Sequence, residues 1–158
     1  TKEHLAINEV CVRGLSPSEL LETEVYVNGE YLSTYSSDGL IAATPTGSTA
    51  YSMSCGGPII SPQSKCICLT PISPHNLTHR PLIIPEDSEI EFRISHSKNQ
   101  VSLHLDSQNY LLNPPARILI RKAEKKLKLV RMENNSFFSA IRNKLMWGTN
   151  LRNTNKND

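Results

Sequence analysis

From Ser37 to Pro62 the chain reads SDGLIAATPTGSTAYSMSCGGPIISP, its densest concentration of hydrogen-bonding and backbone-permissive residues. The apolar run Leu40–Ala43 suits a buried strand, and that strand must stop at Thr44-Pro45, because proline has no N–H to donate to a ladder. Thr46-Gly47-Ser48-Thr49 then supplies capping hydroxyls around a flexible glycine, and Ala50–Ser54 suits a turn or two of helix. A strand, a glycine turn and a helix start make a recess. The first N–H groups of such a helix lack intrahelical partners and would point outward as donors to a phosphate or a carbonyl. Gly56-Gly57-Pro58 closes the segment with two residues that let another backbone or a ligand approach closely. The stretch is not a P-loop, since no lysine follows Gly47. It is not a nucleophile elbow either, since Gly47-Ser48-Thr49 does not fit G-x-S-x-G. Turn geometry in a β domain is the other reading of these residues.

Further polar residues stand on either side. Asn8-Glu9 places a carboxamide beside a carboxylate, and on a regular strand the two point to opposite faces. Both reach one ligand only near a strand end or bulge; otherwise they form an exposed edge pair. Asp38 precedes a glycine, as a turn aspartate bonding its own backbone does. Thr49, Ala50, Tyr51 and Ser54 fall within about one and a half helical turns. His75, in Ser73-Pro74-His75-Asn76, suits a turn cap, and Arg80 suits either a surface cation or a contact to a ligand or a neighbouring subunit. The cysteines, Cys11, Cys55, Cys66 and Cys68, are expected to be reduced and packed, because C-x-C makes no ordinary zinc half-site with the partners available.

The elements that must hold these residues are mostly strands. Asn28-Gly29 between Glu24–Asn28 and Glu30–Tyr35 is a strong hairpin signal. A strand is expected over Leu5–Val12, ending at Arg13-Gly14, and another over Ile67–Pro71. Leu82–Pro85, bounded by prolines, suits an edge strand. Ile90, Phe92, Ile94 and Val101, Leu103, Leu105 alternate with period two, which predicts a hairpin across Ser97-Lys98-Asn99. Ile118, Ile120 and Leu127, Leu129 predict another. Ser136–Trp147 changes to helical period, with Ser136 as N-cap and Gly148 past its end. The fold class is therefore all-β and sandwich-like, with one short internal helix and a C-terminal helix. Residues 1–148 form one domain and the Asn-rich 149–158 a disordered tail.

With 158 residues, 38% hydrophobic, the chain can bury a real core. A formal net charge of +2 is too small to imply a nucleic-acid partner. No apolar run approaches the roughly eighteen residues that would cross a membrane, and Thr1-Lys2-Glu3-His4 has no signal-peptide shape, so a cytoplasmic location is expected.

Asp38–Pro58, DGLIAATPTGSTAYSMSCGGP, resembles the signature of the NAD kinases nearly position by position. Asn8-Glu9, Thr70–His75 with Arg80-Pro81, and Lys144–Trp147 follow the same order, so the resemblance runs from about Leu5 to Trp147. It implies the C-terminal domain of the NAD kinase/diacylglycerol kinase-like fold. By resemblance, Glu9 lies on the adenosine ribose hydroxyls, Asn8 near adenine, and Asp38 at the nicotinamide riboside end. Thr46 and Thr49 point toward adenine, Ala50 and Tyr51 lie beside the dinucleotide, Ser54 is nearby, and His75, Arg80 and Gln108 are further candidates. Asp106-Ser107-Gln108 stands where the family has Asp-Gly-Gln, and serine lacks glycine's freedom at positive φ.

The intact enzyme would transfer phosphate from ATP or polyphosphate, with Mg²⁺ or another divalent cation, to the 2′-hydroxyl of NAD, as a homo-oligomer. The Gly-Gly-Asp-Gly of the family's first domain, with its general base, does not occur here. Thr1 thus looks like the cut end of a fragment that would be inactive alone. A related lipid kinase domain and a non-catalytic β assembly module are the alternatives.

Overall fold

The computed structural model describes residues 2–16, 20–97, 99–128, 130 and 136–148. Among these residues ten strands divide between two antiparallel sheets. They are β1 (Glu9–Gly14), β2 (Leu21–Val27), β3 (Glu30–Ser37), β4 (Gly39–Ala43), β5 (Cys66–Ile72), β6 (Leu82–Pro85), β7 (Ile90–Ile94), β8 (Val101–Leu105), β9 (Gln108–Leu112) and β10 (Ala116–Ile120). One sheet runs β6-β5-β4-β1-β8-β9 and the other β10-β7-β2-β3. Every strand pair is antiparallel. Proximity within the chain separates two units, residues 1–124, which hold both sheets, and residues 125–158.

The first unit is a sandwich because period-two side chains from both sheets meet between them. Val12, Leu40, Leu69 and Val101 of the larger sheet join Leu21, Val25, Ile90, Phe92 and Ile94 of the smaller in one buried cluster. The Asn28-Gly29 hairpin forms as predicted: both turn residues take positive φ, 53° and 81°, which only Gly and a few short polar residues adopt cheaply. β4 is buried on both faces and ends at Ala43, just ahead of Thr44-Pro45. β6 lies at a sheet edge, where its proline costs no ladder bond.

Several expectations about the strands are corrected. β7 and β8 do not form a hairpin: they lie in different sheets, and the chain crosses from one to the other between them. Both alternate because both face the same inter-sheet core, a pattern that cannot say which strand pairs with which. β8 instead turns at Asp106-Ser107 into β9, a strand that the residue pattern did not announce. Asp106 alone in that turn takes a left-handed φ, 53°, so Ser107 needs none of glycine's freedom. Residues 121–128 form no strand, so β10 pairs only with β7, and Leu129 lies outside the described residues. β1 begins at Glu9 rather than Leu5, because the amides of residues 7–9 are taken by the side chain of Asp106.

In the second unit, α2 (Phe137–Leu145) starts on Ser136, whose side chain accepts from the Ser139 amide. It stops earlier than predicted, at Met146, which takes a left-handed φ of 52° and leaves Trp147 past the helix. Residues 149–158 lie outside the described residues.

Candidate functional site

The outer face of the six-stranded sheet carries the candidate site. Alternation along β1 puts Glu9, Cys11 and Arg13 on that face, and register with β4 places Ala43, Ile41 and Gly39 opposite them. Cys11, Ile41, Ala43 and Ile72 form a small apolar cluster there. The cluster is covered by Tyr51 and Cys55, which belong to and follow the short helix α1 (Tyr51–Ser54). Ser52 fixes α1 to the sheet through a 2.8 Å hydrogen bond with Thr70. Gly57 lies so close to the same pair that a Cβ there would stand 2.2 Å from Ser52 Oγ, so this glycine is needed for the packing of α1.

The segment between β4 and α1 departs from the predicted capping. A single 3₁₀ turn, Gly47–Thr49, precedes α1, and the Thr46 side chain makes no cap bond. Thr44 does that work instead, accepting from the Gly47 amide at 3.1 Å and donating to the Ile7 carbonyl at 2.7 Å. The Ser48 amide bonds Pro45 O and the Ala50 amide bonds Gly47 O. With Gly47, these amides are therefore used within the 3₁₀ turn itself, ahead of the first amides of α1. Buried Ser48 ties the turn to the Ile60 amide at 3.0 Å.

Asn8 and Glu9 sit against this turn. The Thr44 amide donates to Asn8 O at 2.8 Å. A Cβ on Gly47 would stand 2.0 Å from the same oxygen, so only glycine allows the approach. On the other side the Asp106 carboxylate accepts three amides: Ile7 at 2.7 Å, Asn8 at 2.8 Å and Glu9 at 3.1 Å. The pair thus lies where a strand begins, one of the places where neighbouring side chains escape strict alternation.

Glu9 Oε2 is buried and has no hydrogen-bond partner. Among the described residues Thr23 Oγ1 and His79 Nδ1 share that state, but Glu9 is the one carboxylate. Burial, and then the Asp106 charge, hold its carboxyl above the usual carboxylate range. A buried acceptor without a donor costs about 1–3 kcal/mol, and a ligand hydroxyl would relieve it. Tyr51 packs its ring on the apolar cluster, with the Arg13 guanidinium 6.0 Å from the ring centroid. Burial raises its phenol as well.

The predicted residues fall into two groups. Asn8, Glu9, Thr46, Thr49 and Ala50 gather at the Ala43 end of β4, with Thr46 and Thr49 exposed. Gln108 begins β9 beside Asp106, exposed, and accepts from the Tyr110 hydroxyl. Tyr51 and exposed Ser54 occupy α1. Asp38 stands at the opposite end of β4, about 17 Å along the strand, with its amide on Ile72 O. His75, exposed, is near that end, its amide on Ser36 O. Arg80 is not brought to either group: its guanidinium bonds the carbonyls of Leu77 and His79 in its own loop.

Sequence reasoning missed Thr44, Arg13 and Asp106. Thr44-Pro45 was visible as a strand end and Arg13 shares a strand face with Glu9. Asp106 stands in the Asp-Ser-Gln noted by resemblance, but nothing local points to its bonds with amides 97 to 99 residues away.

The four cysteines are free, Cys11 and Cys68 buried and Cys55 and Cys66 half-buried. Burial pushes the Cys11 thiol up to about 12, so it packs as a neutral side chain. Among the described residues no group of three or more His, Cys, Asp or Glu could hold a metal ion. No helix among them is long and apolar enough to cross a membrane.

The profile of the ATP-NAD kinase C-terminal domain family matches residues 7–132. An NAD kinase of Flavobacterium johnsoniae is 45% identical over 150 residues, covering 95% of this chain and 51% of that protein. One of Bacteroides fragilis is 41% identical over 147 residues, with shares of 93% and 51%. The chain thus spans about half the length of the curated relatives it matches. Among solved structures, a yeast NADH kinase complexed with NADH aligns with a TM-score of 0.83 at 30% identity, over 94% of this chain and 46% of that one. An NAD kinase from Archaeoglobus fulgidus in complex with ATP aligns with a TM-score of 0.68 at 29% identity, over 75% and 46%.

Proposed function

The chain belongs to the ATP-NAD kinase C-terminal domain family, and from that premise we propose that it is the dinucleotide-holding part of an NAD kinase. The intact protein would pass a phosphoryl group from ATP or polyphosphate to the 2′-hydroxyl of the adenosine ribose of NAD, giving NADP. Phosphoryl transfer is largely positioning and charge stabilisation. These residues would supply positioning: Glu9 accepts ribose hydroxyls, Asn8 and the exposed hydroxyls of Thr46 and Thr49 face adenine, and Ala50, Tyr51 and Ser54 flank the dinucleotide. Asp38, and with it His75, would serve the nicotinamide riboside end.

The observation that carries this reading is the buried, partnerless oxygen of Glu9 beside the 44–54 segment. It asks for a donor that a ribose hydroxyl provides. A divalent cation such as Mg²⁺ would enter with the donor phosphates; the described residues offer it no cage of three or more His, Cys, Asp or Glu. The general base would come from a Gly-Gly-Asp-Gly segment outside this sequence. The protein would be a cytoplasmic homo-oligomer. The family match favours a dinucleotide over a lipid acceptor.

The test is NADP formation from NAD with ATP or polyphosphate. The chain alone is expected to turn over negligibly, and the same chain joined to a Gly-Gly-Asp-Gly domain to turn over readily. Comparable rates from the two would contradict the division of labour. NAD affinity unaffected by Glu9→Ala in the joined protein would favour the assembly-module alternative.

A further inference from the structure

We propose that Asp106 is the positioning residue of the dinucleotide site, acting through the backbone of residues 7–9 rather than by touching the ligand. Its two carboxylate oxygens accept the amides of Ile7, Asn8 and Glu9 at 2.7, 2.8 and 3.1 Å. Its own amide donates back to Glu9 O at 3.2 Å. The left-handed φ of Asp106 turns the β8–β9 connection so that the side chain faces the start of β1. From the other side Thr44 takes both Asn8 O and Ile7 O, and Gly47 sits against the Asn8 backbone. The segment carrying Asn8 and Glu9 is thus clamped between two elements far apart in sequence.

The arrangement has a cost that marks it as more than a turn. Asp106 holds a second carboxylate near Glu9, and like charges at close range are unfavourable. A neutral acceptor would spare the fold this repulsion. A carboxylate can take three amides at once, where a carboxamide has one acceptor oxygen. The clamp therefore favours fixing the direction of Asn8 and Glu9 over local stability.

This inference rests on the reading that Glu9 meets the dinucleotide, so its test separates the two. NAD affinity is measured by calorimetry on the full protein for wild type, Glu9→Ala, Asp106→Ala, Asp106→Asn and the Glu9→Ala/Asp106→Ala pair. Amide hydrogen exchange is followed at Ile7, Asn8 and Glu9, with Cys11 and Leu40 as sheet references. Asp106→Ala is expected to weaken NAD about 10- to 100-fold, the order of effect that misplacing a binding group produces. Asp106→Asn should recover part of that loss, and the double variant should bind no more weakly than the weaker single one. Exchange at residues 7–9 should accelerate while Cys11 and Leu40 stay protected. Additive losses in the double variant, or unchanged protection at residues 7–9, would overturn the clamp. Full affinity in Asp106→Ala alongside weakened Glu9→Ala would overturn it and leave the ribose reading standing. An unaffected Glu9→Ala would sink the ribose reading, and exchange alone would then decide whether Asp106 holds the segment. Should Asp106→Ala not fold, Asp106→Asn takes its place: weaker NAD binding with faster exchange at residues 7–9 supports the clamp, and wild-type values of both overturn it.

Discussion

Two glutamates, one on the outer face of each sheet, are treated in opposite ways. Glu91, on β7, is nearly buried, yet its carboxylate bonds Arg93 and Arg117, and Arg93 in turn lies 3.9 Å from the centre of the Tyr26 ring. Those hydrogen bonds hold its carboxyl below the usual range. Glu9, on β1, has a buried oxygen that nothing meets, and burial holds it above that range. A satisfied buried charge is structure; a buried carboxylate oxygen without a donor marks a candidate for a ligand. The smaller sheet thus satisfies its buried glutamate from its own side chains, while the larger leaves one Glu9 oxygen without a partner.

The most disruptive way to break this contrast is Gly47→Ala. The new Cβ would meet Asn8 backbone, which cannot swing aside. We expect a loss of about 1–3 kcal/mol in denaturant unfolding together with loss of NAD affinity. Stability and affinity unchanged together would show that residues 7–9 are not seated as described.

Glu91→Gln should lower stability by about 1–2 kcal/mol, an amount kept modest because both arginines are partly exposed. It should leave NAD affinity alone. Glu9→Gln should do the reverse: stability within about 0.5 kcal/mol of wild type or better, and NAD bound about 10- to 100-fold more weakly.

Acidity sharpens the same contrast. The folded carboxyl of Glu91 is depressed, so its contribution is present above the ordinary value of 4.5 and is lost as pH falls through the lower folded value. For Glu9 the folded value is raised. Its contribution is most favourable below 4.5 and is lost as pH rises through the folded value. The stability gap between wild type and Glu91→Gln should therefore shrink on acidification. The stability of Glu9→Gln relative to wild type should improve as pH rises from 4.5. Parallel profiles from thermal melts would undo the comparison.

Ser107→Gly should do least, within about 0.5 kcal/mol, because Asp106 already carries the left-handed residue of that turn. A clear gain in stability would mean that Ser107 is strained after all.

Much of this was legible in the residues. Asn28-Gly29 announces its hairpin because two consecutive positive φ values need those residue types, Thr44-Pro45 ends β4 because proline cannot donate, and Ser136 caps α2 by its hydroxyl. Local chemistry decided each. Which sheet a strand joins was not legible: Ile90–Ile94 and Val101–Leu105 alternate alike because both face one core from opposite sides. Leu127 carried the same alternation without forming a strand. The Asn8-Glu9 pair could be picked out by residue type and resemblance, but not the Asp106 clamp that orients it. A carboxylate bonding amides almost a hundred residues away leaves no local pattern.

The central claim is that NAD seats on the outer face of the larger sheet around Glu9. The most direct measurement is an amide chemical-shift map of the isotope-labelled full protein during titration with NAD. The account predicts saturable shifts at Asn8, Glu9 and Thr46–Ser54, with the amides of Tyr26, Glu91, Arg93 and Arg117 unmoved. Shifts centred on the Glu91 face, or none anywhere at saturating NAD, would contradict it.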